Sequence, residues 1–368
     1  MKIPFIDFRR EYRDLKKELD SAVKRVINSG HYILGKEVEE FEKALADYIG
    51  VKYAVGVGNG TEALHLALLA GGVKPGDEVI TAVNTCAPTI SAIMACGAIP
   101  VLVDAHPLSY CLDSAAIPAK ITKKTKAVIP VHLYGQMSNM GHLMAIGKRY
   151  NLKIIEDCAQ ASGAKYKNKM AGSFGIAGCF SFYPTKNIGA LGDGGMISTN
   201  SRDLAVECRR LRNYGETTRY KHDSLGFNSR LDEIQAALLR VKLKKLDEWN
   251  RRRRAIAERY KAGIDNPDVI LPEEMECARH VYHLFVIRVK RRDYFRNVLK
   301  AKGIPTLIHY PIPMYRQKFY LDLTRKRDYF PVADQLAEEI VSLPLYPYLR
   351  DEEVDYIIKI VNSYRPVK

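Results

Sequence analysis

From residue 53 the chain alternates between short apolar runs and helix-like segments, and this alternation constrains its fold more than any other feature. YAVGV (53–57), EVITAV (78–83), IPVLVDA (99–105), AVIPVHLYG (127–135), KIIED (153–157), CFSFY (179–183) and GGMISTN (194–200) are short, apolar and bounded by Gly, Asp or Asn. Helical segments lie between several of them: TEALHLALLAGG (61–72), which ends on glycines, then 88–96 and 139–150. Runs apolar on both faces, separated by helices, predict an α/β protein with a large, mainly parallel sheet sandwiched by helices.

The flanks differ from this centre. Residues 12–28 and 36–49 read as helices, the second from Glu37, Val38, Phe41, Leu45, Tyr48 and Ile49 at helical spacing. A single long helix is predicted over 231–263, with Leu231, Ile234, Leu238, Val241 and Trp249 near one face. It carries RRRR at 251–254, which reads as a solvated surface. Past Pro267, HLFVIRV reads as a strand and YFRNVLKAKG as a helix; TLIHYPIP, a helix near 331–341, SLPLYP and a last helix follow. This predicts a smaller C-terminal α+β domain, dividing the chain into 1–250 and 251–368 with the boundary inside 250–270.

Composition matters mainly for what it excludes. A chain of 368 residues suits two to three domains and needs no disulfide or metal to fold. The net charge is +15, from 57 basic and 42 acidic residues. The basic residues are spread out, with dense clusters only at 242–245 and 251–254, and no nucleic-acid-binding motif accompanies them. The charge therefore fits a small anionic substrate such as a nucleotide diphosphate better than nucleic acid. Seven cysteines, an odd number without a Cys-x-x-Cys pair, predict reduced thiols in a cytoplasmic protein. The longest mainly apolar stretch, 90–103, is interrupted by Ser91, Gly97 and Pro100 and is too short to span a bilayer. No signal peptide is read at the N-terminus, which turns charged after six residues. His280 and His283 have His-x-x-His spacing but no third ligand, so a structural role is expected and no metal site.

Ligands of open parallel sheets sit beyond the carboxyl ends of the strands, so the residues following each strand mark the site. After YAVGV, Gly58-Asn59-Gly60-Thr61 opens a helix, and its free N–H groups form an anion seat suited to phosphate. KIIED places Glu156 and Asp157 at a strand end, where Asp157 is either a helix cap or an anion for a cationic ring nitrogen. After CFSFY comes Lys186, between an apolar strand and a glycine-rich loop. Partial desolvation there lowers an amine's pKa and frees a nucleophile. Each signal alone is weak. In this order they form the set that pyridoxal phosphate requires: a phosphate anchor, an acid for the ring nitrogen and a lysine for the aldehyde.

The chain resembles the DegT/DnrJ/EryC1/StrS family of pyridoxal-phosphate-dependent nucleotide-sugar aminotransferases. The matching stretches are NSGHYILGKEVEEFE, GVGNGTEALHLAL, KPGDEVI, PVHLYGQ, IIEDCAQASGA, FSFYPTKNIGALGDGGMI, LRNYGE, NSRLDEIQAALL and HLFVIR, in the family's order over residues 3 to 348. The resemblance implies a fold-type-I transferase with pyridoxal 5'-phosphate as cofactor. It implies Lys186 as the Schiff-base lysine, Asp157 as partner of the pyridine nitrogen, and Gln160 near the ring hydroxyl. Gly60, Thr61 and Ser181 are implied as phosphate anchors. Asn228 would reach the phosphate of the neighbouring subunit, which makes the expected assembly a homodimer with shared sites. Many relatives stack an aromatic residue on the cofactor ring where this chain has Cys86, which is expected to line the pocket instead.

The resemblance also implies glutamate as amino donor and a keto sugar on a nucleoside diphosphate as acceptor. PVHLYGQ, TLIHYPIPMY and SLPLYP are similar to members that aminate C3 of a TDP-3-keto-6-deoxyhexose; amination at C4 is the alternative. Tyr183, beside the lysine turn, and His309 and Tyr310 are candidates for the sugar pocket. Tyr220, Lys221 and His222 are candidates for the diphosphate. Family dehydratases tend to carry His at the lysine position, so Lys186 argues against that activity. A regulatory protein that binds the cofactor without turnover remains a second class.

Overall fold

The computed structural model describes residues 1–324 and 329–366. In chain order the N-terminal part comprises α1 (Phe8–Ser29), α2 (Lys36–Ile49), β1 (Tyr53–Val57), α3 (Gly60–Ala70), β2 (Glu78–Ala82), α4 (Ala87–Ala95), β3 (Ile99–Val103), β4 (Thr125–Ile129), α5 (Met140–Tyr150) and β5 (Lys153–Asp157). It continues through β6 (Lys165–Tyr166), β7 (Lys169–Met170), β8 (Ala177–Ser181), β9 (Gly195–Thr199), α6 (Arg202–Leu211), β10 (Glu216–Thr218), β11 (Lys221–His222) and α7 (Glu233–Leu243). The remaining elements are α8 (Leu246–Gly263), β12 (Ala278–Arg279), β13 (Phe285–Arg288), α9 (Arg292–Ala301), α10 (Lys318–Thr324), α11 (Pro331–Glu339), β14 (Ile340–Leu343) and α12 (Asp351–Ser363).

Seven strands form one sheet in the order β1-β9-β8-β5-β4-β2-β3. The pairings β8–β5, β5–β4, β4–β2 and β2–β3 are parallel, whereas β9 runs antiparallel to both β1 and β8. This is the expected mainly parallel sheet. One apolar cluster fills each face: Phe41, Ile80, Val128 and Phe182 belong to one, Val55, Leu64, Ile93 and Ile155 to the other. The strands are buried on both sides, which is why their sequences run apolar without alternating.

A separate core joins Ile256, Tyr260, Phe285, Phe295, Val341 and Val361. Ile3 also belongs to it, and its N–H donates to the Gly303 carbonyl at 2.9 Å. The first residues of the chain are therefore packed against the last hundred. Arg10, at the start of α1, forks onto Glu353 of α12 through two hydrogen bonds of 2.7 Å.

Three expectations about elements change. The helix over 231–263 is two helices, broken at residues 244–245 without Gly or Pro. Lys242, at the end of α7, is drawn inward to Glu11 (2.6 Å) and to the Gly189 carbonyl (2.6 Å). Leu246 then turns into the main core. The four arginines are not a uniform solvated face either. Arg251 is exposed, but Arg253 is only 3% exposed and donates to the carbonyls of Tyr282, His283 and Leu345. The helix predicted near 331–341 stops at Glu339, because Ile340 pairs with Arg288 as a strand.

Candidate active site

The ends of β1, β5 and β8, the start of β9 and the turn after β2 converge on one side of the sheet. At the first of these, Asn59 caps α3, its side chain accepting from the Glu62 N–H at 2.9 Å. Gly60 lies against Ser181: a Cβ added at Gly60 would come 2.7 Å from Ser181 Cβ. Gly195 closes on the same turn, where a Cβ would fall 2.3 Å from the Asn59 carbonyl oxygen. Gly60, Ser181 and Gly195 therefore form a cradle that holds only because its residues are small. The N–H groups of Gly60 and Thr61, the first of α3, have no partner within the helix.

Asp157 ends β5 and is buried. One carboxylate oxygen accepts from the Ala159 N–H (3.1 Å), the other from Thr89 Oγ1 (2.9 Å). Burial pushes its pKa up, while those two donors and the charge of Lys186 pull it down. Lys186 follows β8 on a turn closed by its own N–H to the Tyr183 carbonyl (2.9 Å). Desolvation lowers its amine's pKa, opposed by the negative charge of Asp157 and the Cys86 thiol. The neighbouring Asn187 locks the turn: its Nδ2 donates to Asn250 Oδ1 (2.7 Å) and to the Val281 carbonyl, and its Oδ1 accepts from His283 Nδ1 (3.2 Å). His283 thus has the structural role expected of it.

Gln160 accepts from the Tyr134 N–H (2.7 Å) and donates to the Tyr310 hydroxyl (3.1 Å). Tyr310 also meets the Cys86 thiol, and burial pushes its phenol well above the ordinary tyrosine range. His309, bonded through Nδ1 to Ser342 Oγ (2.8 Å), is pushed down to about 4 by burial and by the charge of Lys186. The 306–313 segment is held by Leu307 bridging Ser342, and Tyr134 donates its hydroxyl to the His309 carbonyl. Lys186, Asp157, Gln160, Cys86, His309 and Tyr310 therefore gather in one place.

Other candidates lie at the surface of the single chain. Tyr183 is 54% exposed and Tyr220 81% exposed. Lys221 and His222 are exposed on the β10–β11 hairpin, where Lys221 approaches Asp223 (3.8 Å) and His222 donates to the Tyr214 carbonyl. Asn228 is exposed and bridges Asn213. Thr85, Thr89, Tyr134, Asn187 and Asn250 carry no functional signal in the sequence, although Thr85 and Thr89 lie in NTCAPT beside Cys86.

Among the described residues one group has metal-ligand proximity, His132, Glu156 and Cys158. Glu156 is already saturated there by the N–H groups of Gly172, Phe174 and Gly175 and by His132 Nε2 (3.0 Å). All seven cysteines are free, and no described helix is long and apolar enough to cross a membrane. A groove of about 1400 Å³ lies away from Lys186 between α1, α2 and α7, where Arg25 and Arg240 pair with Glu37.

The model of the DegT/DnrJ/EryC1/StrS aminotransferase family matches residues 13–362. The chain belongs to that family. It is 49% identical to the dTDP-3-amino-3,6-dideoxy-alpha-D-galactopyranose transaminase of Aneurinibacillus thermoaerophilus, over 98% of this chain and 99% of that one. It is 44% identical to a pleiotropic regulatory protein of Geobacillus stearothermophilus, over 99% of both. The crystal structure of Streptomyces venezuelae DesV in complex with a ketimine intermediate is similar at a TM-score of 0.96 and 42% identity, over 98% of each chain. Family membership makes this chain an aminotransferase.

Proposed function

We propose that the chain uses pyridoxal 5'-phosphate to move an amino group from glutamate to C3 of a TDP-linked 3-keto-6-deoxy sugar. One observation carries the reading: a buried carboxylate at Asp157 and a desolvated amine at Lys186 lie within electrostatic reach of each other, at the ends of the adjacent strands β5 and β8, the second of which also ends in the Gly60–Ser181 cradle. A Cβ would fill that cradle, so it suits a group bound through backbone N–H groups and a short hydroxyl, as phosphate is. When bound, the cofactor supplies an aldehyde and an electron-accepting ring.

The chain's own residues supply the rest. Gly60, Thr61 and Ser181 hold the phosphate. The Asp157 carboxylate holds a proton on the ring nitrogen. Lys186 Nζ, whose pKa desolvation lowers, takes and returns the proton at the carbon that loses or gains the amine. Gln160 and Tyr310, bonded to each other, wall the pocket beside Cys86, which leaves room that an aromatic ring would fill. Tyr220, Lys221 and Asn228 project from the surface of one chain, which suits residues that complete the site of a second copy. We therefore place two chains in a homodimer with shared sites. The unpaired cysteines suit a reducing compartment such as the cytoplasm.

C3 amination is favoured by the name of the Aneurinibacillus relative, and the net charge of +15 favours an anionic acceptor. The Geobacillus relative supports a second reading, a regulator that binds the cofactor without turnover. Incubating the protein with glutamate and a panel of 3-keto and 4-keto nucleotide sugars, and determining the product's regiochemistry, separates these readings. An amine at C4 moves the site of reaction. No product, and no response of the cofactor's visible band to glutamate, favours the regulator. Lys186→Ala should lose turnover by at least about 10²–10⁴-fold while keeping its fold; wild-type turnover in that variant would remove Lys186 from the mechanism.

A further inference from the structure

The first turn of α4 carries two devices. Cys86, its N-cap, lies near Tyr310 and Lys186, and Thr89, three residues on, meets Asp157. Thr89 Oγ1 lies 2.9 Å from Asp157 Oδ2, and Thr85 Oγ1 lies 2.8 Å from Thr89 Oγ1. Both threonines are 1% exposed, so water does not replace either contact. A hydroxyl has a single proton. If Thr89 gives its proton to the carboxylate, Thr85 must donate to Thr89, and the two hydroxyls form a one-way chain ending on Asp157. Such chains polarise each bond in turn.

We propose that Thr89, supported by Thr85, is a positioning residue that keeps Asp157 anionic and aimed at the ring nitrogen of the cofactor. The inference rests on the cofactor reading above. The Asp157 backbone is already fixed, its N–H to the Pro130 carbonyl (2.9 Å) and its carbonyl to the His132 N–H (3.1 Å). Only the side-chain torsion is left to set, and the Ala159 N–H and Thr89 set it from two sides. The electrostatic need is plain. Asp157 sits among the thiols of Cys158 and Cys179, the Tyr310 phenol, His132 and Lys186. Burial there favours the neutral acid, which cannot hold a proton on the ring nitrogen. A hydrogen bond from Thr89 favours the charged form directly.

Thr89→Val tests this in the full chain loaded with pyridoxal 5'-phosphate. Apoprotein is titrated with the cofactor by its visible band, the band is then titrated with pH, and thermal unfolding of the apoprotein is followed. The expected result is roughly tenfold weaker cofactor binding and an upward displacement of the band's pH midpoint by about one unit. Thr89→Ser, which keeps the hydroxyl, restores wild-type values. Thr85→Val, which spares the Thr89 contact, moves both readouts the same way by less and covers the case in which Thr89→Val does not fold. Wild-type affinity and midpoint in a folded Thr89→Val protein overturn the inference and leave the cofactor reading intact. Wild-type protein that takes up no cofactor overturns both.

Discussion

Replacing Gly60 with Ala asks whether the cradle beside Ser181 holds the cofactor's phosphate. Gly60 opens α3 with an ordinary helical backbone, so a methyl group there costs nothing in φ and adds about 0.5–1 kcal/mol of helix propensity. Against this, the new Cβ lands 2.7 Å from Ser181 Cβ and 3.3 Å from Ser181 Cα, where ordinary contact begins at 3.4 Å. Neither atom is the free end of a side chain, so the end of β8 or the start of α3 must move. Overpacking of this kind costs about 1–3 kcal/mol. The empty protein relieves part of it by letting Ser181 drift from the turn. If the cradle holds the phosphate, the loaded protein cannot, because Ser181 and the α3 N–H groups would have to reach one phosphate together. The strain should therefore appear as lost affinity: pyridoxal 5'-phosphate bound about tenfold more weakly, near 1.4 kcal/mol, with the apoprotein's Tm nearly unchanged. Dialysed apoprotein titrated by absorbance measures this. Gly192→Ala is the control, since its Cβ meets only the flexible Gln235 amide at 3.2 Å. A Gly60→Ala protein that binds the cofactor as tightly as the wild type and the control would refute the cradle.

Two further predictions concern the C-terminal core. Arg253→Ala should destabilise the protein by about 3 kcal/mol in urea unfolding, because it strips the buried carbonyls of Tyr282, His283 and Leu345 of a donor. Arg251→Ala, on the exposed neighbour, should change little, and equal stabilities for the two variants would contradict this account. Glu353 is held down to about 2 from an ordinary 4.5, against the cost of burial, by the fork of Arg10, a single side-chain hydrogen bond from Arg350 and the Arg350 N–H. Its contribution, about 3 kcal/mol, is complete above pH 4.5 and is lost as the pH falls from 4.5 toward 2. Glu353→Gln should flatten the stability profile in that window; an unchanged acid limb would assign the loss elsewhere.

Much of this protein is written locally. The doubly buried strands show as apolar runs because both faces of the sheet are covered. Lys186, Asp157 and the Gly60 turn show because each follows a strand and so falls on the same side of the sheet. His309, Tyr310 and Cys86 also reach the site, although the first two lie more than a hundred residues beyond the lysine. Other contacts had no local sign. Thr89 reads as a helix-start residue until the fold carries Asp157, 68 residues away, onto its hydroxyl. Arg253 looks like its three neighbours until carbonyls from two later segments close around it. The break before Leu246 has no Gly or Pro to announce it, since burial of Lys242 and Leu246 makes it.

The amino-acid order alone thus determined the alternating scaffold and the chemical identities at the strand ends, because periodicity and strand termini are properties of adjacent residues. Which hydroxyl steadies the acid, which arginine is interior, and how the first residues join the last helix were decided only when distant segments packed. Those outcomes depend on desolvation and on hydrogen-bond partners that no local stretch contains.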